Sequence, residues 1–234
     1  MISVPTALPP SPLDEWPPSW EPDAVVFDCD GVLVNTEAEW VAIQTDYLRE
    51  HGVELDDATR RRITGGSVEL VLAAIAENVG LSPEQVSQEL LIRHGEVSSH
   101  DLQPMPGVLD LLTAVSSRKP VAVASNSPRE LLDEKLIALG LADLVDASVA
   151  IEDVENAKPA PDMYVRAAEL LGARPADTLG IEDSETGAEA AVAAGLQLLA
   201  VPSIPGQSPR APRTIASLAD PVLHDWVATW SRTR

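Results

Sequence analysis

Two aspartates set two residues apart, Asp28 and Asp30 in the stretch FDCDGVLVNTE from Phe27 to Glu37, are the residues of this sequence best placed to do chemistry. They follow a short apolar run, Ala24 to Phe27, which reads as a strand covered on both faces. Alternation along an extended chain puts Asp28 and Asp30 on one side and Cys29 on the other. Carboxylates so placed are costly unless they bind a cation or take part in a reaction. Gly31 then lets the backbone turn sharply away. An isolated Asp-Gly pair would be read as a turn, but a second acidic pair weakens that reading. In GIEDSETG, from Gly180 to Gly187, Glu182 and Asp183 again stand at the end of an apolar run, before a helix that Ser184 is placed to cap. Acids in a single helix's first turn simply complement its dipole. Two acidic clusters at strand ends point instead to a divalent site, and hard oxygen donors favour Mg²⁺.

The anion side of such a site has candidates too. Ser125 closes the VAVAS run just before a helix that starts near Ser127, where free N–H groups and the helix dipole favour a phosphate; a plain cap is the bland alternative. Lys158, in AKPAPDMY, lies on a proline-stiffened loop in a chain with three lysines. Cys29 invites a rival reading as a thiolate nucleophile, but a reactive cysteine needs electropositive neighbours and this one has two carboxylates. His51, His94, His100 and His224 fall in no metal or catalytic spacing and read as surface or packing residues.

The elements that must hold these residues form a repeating pattern. Apolar runs at Ala24 to Phe27, Val121 to Ala124, Leu144 to Ala150, Thr178 to Ile181 and Leu196 to Val201 alternate with amphipathic helical stretches. That order predicts an α/β fold, a doubly wound parallel sheet of Rossmann-like type. Ser127, Pro128 and Glu130 read as a capping-box helix start, as do Ser82, Pro83 and Gln85. Gly140, Gly172 and Gly195 read as C-terminal helix stops. From 37 to 104 the alternation breaks into consecutive helices, read as an inserted all-helical cap in which Trp40, Ile43, Tyr47 and Leu48 are core. The α/β core is then 23–36 plus 105–234. Leaving the sheet after its first strand places the cap over the strand ends, where open α/β sheets bind ligands. Residues 1–22, with seven prolines, read as an extended arm tethered to the surface.

Composition narrows the function classes. With 45% hydrophobic and 23% charged residues in a chain of 234, a disordered or disulfide-stapled protein is excluded. A net charge of −21 repels phosphate backbones and anionic lipid, so neither nucleic acid nor membrane is expected as a partner. A small-molecule substrate is expected, with the protein a monomer or weak homodimer. The first basic residue is Arg49 and no long apolar run exists, so no leader or membrane span is expected and the cytoplasm is the anticipated location.

Four segments together, DxDGVxxxTE after the first strand, Ser125-Asn126 after the second, KPxPDxY around Lys158 and EDSxxG from Glu182, closely resemble the four motifs of the haloacid dehalogenase superfamily. The resemblance runs from Val25 to Val201, and it is to the branch with a helical cap after the first motif, which includes beta-phosphoglucomutase and phosphoglycolate phosphatase. It implies Asp28 as the nucleophile that is transiently phosphorylated and Asp30 as acid and then base. It implies Ser125 and Lys158 as holders of the phosphoryl oxygens, with Asn126 beside them as a substrate residue. Mg²⁺ would be bound by Asp28, the Asp30 carbonyl and Asp183, with Glu182 supporting. The expected activity is hydrolysis of a small phosphate monoester, with a sugar or polyol phosphate favoured and a sugar phosphate mutase as runner-up. Haloacid dehalogenases proper lack the second aspartate, and no lysine precedes Lys119 to serve as a cap Schiff base. A non-catalytic binding module would be expected to have lost one of these groups. In the cap, Arg60, Arg61 and Arg62 with Gly65 and Gly66 are the candidates for substrate recognition.

Overall fold

The computed structural model describes residues 8–35, 37–53, 68–96, 102–203 and 207–232. Six parallel strands form the main sheet: β1 (Ala24–Phe27), β4 (Val121–Ala124), β5 (Ala147–Val149), β6 (Thr178–Glu182), β7 (Gln197–Ala200) and β8 (Arg213–Thr214), in the spatial order β5-β4-β1-β6-β7-β8. The chain passes from β1 to one side and returns on the other, which makes β1 with its neighbours β4 and β6 the switch point of the sheet.

The apolar runs are strands because both faces are covered. Val25, Phe27, Val123 and Ile181 pack on one face against Leu111 and Leu112 of α4 (Val108–Ser116), Leu132 of α5 (Arg129–Ala138) and Trp226 of α8 (Pro221–Ala228). On the opposite face Val26, Ala122 and Ala124 meet Met163 and Tyr164 of α6 (Asp162–Leu170) and Ala188 and Ala191 of α7 (Glu185–Ala194). Alternate residues of one strand thus feed two separate cores. A three-layer α/β fold follows.

After β1 the chain enters a short antiparallel ribbon of β2 (Val34–Asn35) and β3 (Gln103–Pro104), in register Val34 to Pro104. Between these two strands lie α1 (Glu37–Glu50), α2 (Val68–Val79) and α3 (Pro83–Glu96). They share a third cluster of their own, with Ile43, Tyr47, Leu48, Ile75, Val86 and Leu90 buried together. Ile43, Tyr47 and Leu48 are therefore core, as their spacing predicts; the Trp40 side chain lies outside the described residues. The Tyr47 hydroxyl donates to Glu89 Oε2 at 2.8 Å, and Arg93 sits over its ring. Ser82 and Gln85 exchange the two reciprocal bonds of a capping box at the start of α3.

Three local expectations are corrected. The run Leu144 to Ala150 is not one strand, because Ala142–Leu144 is a 3₁₀ turn and β5 begins only at Ala147. Asp146 interrupts the run, and its Oδ2 accepts the Val121 N–H at 2.9 Å. Ser127 does not cap α5; the N-cap is Pro128, and Glu152 Oε2 accepts the Arg129 N–H at 2.9 Å in its place. From residue 11 onward the proline-rich segment is not an extended arm on the surface, and Pro12–Asp14 forms a 3₁₀ turn. Leu13 is fully buried, Trp16 and Trp20 pack on Trp226, and the Trp226 indole N–H donates to Trp20 O at 3.0 Å.

Candidate active site

At the C-terminal ends of β1, β4 and β6 the structure gathers Asp28, Asp30, Ser125, Lys158, Glu182 and Asp183. Backbone bonds set this geometry: Asp28 N–H donates to Ile181 O at 2.9 Å, and Ser125 N–H to Val149 O at 3.0 Å, so each strand carries its functional residue to the same level. Cys29 points away into the core, where burial first and then Asp30 raise its thiol well above the usual range, opposing any role as a thiolate.

Lys158 is the hub. Its Nζ donates to Asp28 Oδ1 at 2.5 Å, Glu182 Oε1 at 2.7 Å, Ala124 O at 2.9 Å and Tyr164 Oη at 3.2 Å. The loop bearing it is fastened by Asn126, whose Oδ1 accepts the Lys158 N–H at 3.0 Å and whose Nδ2 donates to Lys158 O at 3.3 Å. Here the Asn126 amide is spent on positioning Lys158. Burial works against the charge on Lys158, but Asp28 and Glu182 more than offset it and keep the ammonium well above its ordinary value.

Glu182 is anchored at both oxygens. Oε1 accepts from Lys158 and, at 2.9 Å, from the Tyr164 hydroxyl; Oε2 accepts from Asp183 N, Ser184 N and Ser184 Oγ, each at 3.0 Å. Burial pushes Glu182 up, yet Lys158 and these donors hold it below the usual carboxylate range. Asp28 behaves oppositely. Burial first, then Glu182 and Asp183, raise it well above the usual range against the pull of Lys158. Asp183 is pushed to about 6 by burial and by Glu182. Beside burial, charge crowding contributes: three buried carboxylates meet one ammonium, an excess of two negative charges when all are ionised. One oxygen from each of Asp28, Glu182 and Asp183 lies within 4.8 Å of the others. That donor set and that charge fit a hard divalent cation, for which Asp28 and Asp183 could serve as direct carboxylate donors while Glu182 is occupied by its own hydrogen bonds.

Asp30 stands at the more open side, its side chain 30% exposed. Lys135 Nζ donates to its Oδ1 at 2.6 Å, Ser127 Oγ to its Oδ2 at 3.0 Å, and Ser125 Oγ to its Oδ2 at 3.5 Å. Lys135, Ser127, Ser203 and Gln207 also contact this cluster without having been singled out for it from the sequence, and Tyr164 was present there only as the last residue of KPxPDxY. One signal was available: with three lysines in the chain, Lys119, Lys135 and Lys158 are each at most 8% exposed, so none is an ordinary surface lysine. The cap candidates Arg60, Arg61, Arg62, Gly65 and Gly66 lie outside the described residues.

A family model for haloacid dehalogenase-like hydrolases matches residues 22–195. A phosphorylated carbohydrates phosphatase of Thermotoga maritima is 31% identical over 178 residues, 75% of this chain and 82% of that protein. Two Arabidopsis thaliana relatives, 32% and 34% identical, are longer, and the chain spans 55% and 18% of their lengths. Among solved structures, a HAD family hydrolase from Deinococcus radiodurans R1 with bound phosphate and sodium aligns at TM-score 0.64 and 31% identity, covering 85% of this chain and 92% of that one. Another, described as a beta-phosphoglucomutase from Thermotoga maritima, aligns at TM-score 0.66 and 27% identity, covering 88% of this chain and 99% of that one.

Proposed function

The chain belongs to the haloacid dehalogenase-like hydrolases, and on that premise we propose that it is a Mg²⁺-dependent phosphatase of small phosphate monoesters, sugar or polyol phosphates in particular. The observation that carries this reading is the buried Asp28 carboxylate, contacted by Lys158 at 2.5 Å and grouped with Glu182 and Asp183 in a cluster whose charge suits a divalent cation. In this reading an Asp28 oxygen attacks phosphorus, the P–O bond to the alcohol breaks, and Asp30 gives its proton to the departing oxygen. Water then attacks the phosphorus of the aspartyl phosphate, Asp30 takes a proton from it, and inorganic phosphate leaves with Asp28 restored.

Electrostatics explains the company Asp28 keeps. Two like unit charges about 4 Å apart repel by about 4 kcal/mol at an effective dielectric of 20, so a carboxylate does not approach a phosphate dianion unaided. Lys158 and Ser125 supply donors to the phosphoryl oxygens. A Mg²⁺ ion held by Asp28, Asp183 and the Asp30 carbonyl would neutralise charge on the same group. The helices between β2 and β3, within residues 37–104, act in this proposal as the cap that selects the leaving group, over a core of 23–36 and 105–234. A cytoplasmic location and a monomer or weak homodimer belong to the same proposal; no helix among the described residues is long and apolar enough to cross a membrane.

Release of inorganic phosphate from a panel of phosphate esters, with and without Mg²⁺, tests the reading. Metal-dependent release that disappears in Asp28→Asn is expected; substantial release by the folded variant contradicts the nucleophile assignment. The likeness to a protein described as a beta-phosphoglucomutase keeps one alternative acceptor in view. Rapid accumulation of glucose 6-phosphate from beta-glucose 1-phosphate would replace water by a sugar hydroxyl.

A further inference from the structure

Asp183 is gripped from a segment that none of the four sequence motifs contains. Ser203 Oγ donates to Asp183 Oδ2 at 2.5 Å and Gln207 Nε2 donates to the same oxygen at 3.3 Å. The two side chains are themselves tied, because Ser203 N–H donates to Gln207 Oε1 at 2.9 Å. On the far side the oxygen is confined by Gly31, where a Cβ would stand 2.0 Å from Asp183 Oδ2 and 2.7 Å from Ser203 Oγ. The turn after β1 and the segment after β7 therefore close on one carboxylate oxygen. Both donors address Oδ2, which leaves Oδ1 to meet a cation.

We propose that Ser203 and Gln207 are positioning residues for the metal: they fix Asp183 as a one-oxygen ligand and so set the affinity of the site for Mg²⁺. The inference rests on the metal-dependent reading above. Physically, a carboxylate whose second oxygen is already bonded loses little rotamer freedom when the cation arrives, and it cannot swing to chelate with both oxygens. Partners of this outer kind are typically worth about 10–100-fold in metal affinity. Ser203, with the shorter bond, carries the larger share.

The test is a titration of the full-length metal-free protein with MgCl₂, followed by calorimetry and by the rise in Tm, for the parent, Ser203→Ala and Gln207→Ala. The expected result is a Mg²⁺ Kd weakened about tenfold in Ser203→Ala and less in Gln207→Ala. Phosphatase activity is expected to fall at low Mg²⁺ and to recover as Mg²⁺ is raised. Each single substitution leaves the buried Asp183 carboxylate one of its two donors, and metal-free Tm values near that of the parent establish that both variants fold. Unchanged Kd values in both folded variants, or an activity loss that excess Mg²⁺ does not recover, overturn the positioning role while leaving the phosphatase reading intact. A parent protein that binds no Mg²⁺ overturns both.

Discussion

Single residues here are defined by what they touch across long stretches of chain. Asp183, pushed to about 6 by burial and Glu182, gives a pH prediction. Its folded value lies above the ordinary 3.8, so the native state keeps a proton that the unfolded chain has released. This contribution is fully present below about pH 4 and is lost as pH rises through about 6, so it lowers the stability of the metal-free protein across that window. Mg²⁺ favours the ionised carboxylate and should reverse the penalty. The rise in Tm on adding Mg²⁺ is expected to be small near about pH 5 and larger near about pH 7, with the dependence flattened in Asp183→Asn. A Mg²⁺ effect equal at both pH values contradicts the assignment of Asp183 to the cation. Three of the four motif groups were legible in the sequence because each sits at the end of a strand run, and the fourth, at Lys158, because it is one of three lysines and lies on a proline-stiffened loop. Tyr164 was visible only as the last residue of KPxPDxY, without its bond to Glu182. Lys135 and Ser203 were not legible, since helical or loop residues of ordinary type gain their roles only when the fold brings them to Asp30 and Asp183, 105 and 20 positions away.

At the scale of elements, the strand ends and the helix starts after them do the positioning. α7 begins with Ser184, whose Oγ accepts the Gly187 N–H at 3.0 Å and also donates to Glu182 Oε2. The sequence shows that cap plainly. It does not show why Gly187 follows: a Cβ there would stand 1.6 Å from Glu182 Oε1, so the first turn of α7 is carved to admit the carboxylate. Helix propensity alone predicts that Gly187→Ala stabilises the protein by about 1 kcal/mol. The structure predicts the opposite sign, with a loss of about 1–3 kcal/mol from overpacking and a fall in turnover as Glu182 and Lys158 shift together. Urea unfolding beside steady-state kinetics decides between them, and a more stable, fully active variant would rule out this packing account. Strand runs covered on both faces were readable from composition alone. The late start of β5 was not, because Asp146 spends its carboxylate on a neighbouring strand's N–H, a contact 25 residues away.

Over the whole molecule, the segments outside the family match at 22–195 hold each other. Leu13 is buried in the core cluster that also contains Trp226 and Trp230, Arg213 Nη2 donates to Asp14 O at 3.1 Å, and Glu21 accepts from both Lys119 and the Ser231 N–H. Proline content marked residues 1–22 as an extended arm, yet Pro12–Asp14 is a 3₁₀ turn capped by Ser11. It misled on burial too, because Leu13 in that turn is fully buried in the core cluster. Leu13→Ala is expected to cost about 2–5 kcal/mol, as for other fully buried leucines, with kcat at permissive temperature little changed since the site lies at other strand ends. A variant with the parent's unfolding midpoint would mean that the segment is not part of the core.

In the proposed reaction Asp28 carries the phosphoryl group during turnover. Acid quenching of the protein while it hydrolyses an aryl phosphate with Mg²⁺, followed by peptide mass analysis, tests this directly. One phosphoryl group, lost on mild alkaline treatment, is expected on the peptide containing Asp28, and none in Asp28→Asn. Turnover with no labelled peptide, or with the label on Cys29 or Ser125, would contradict it.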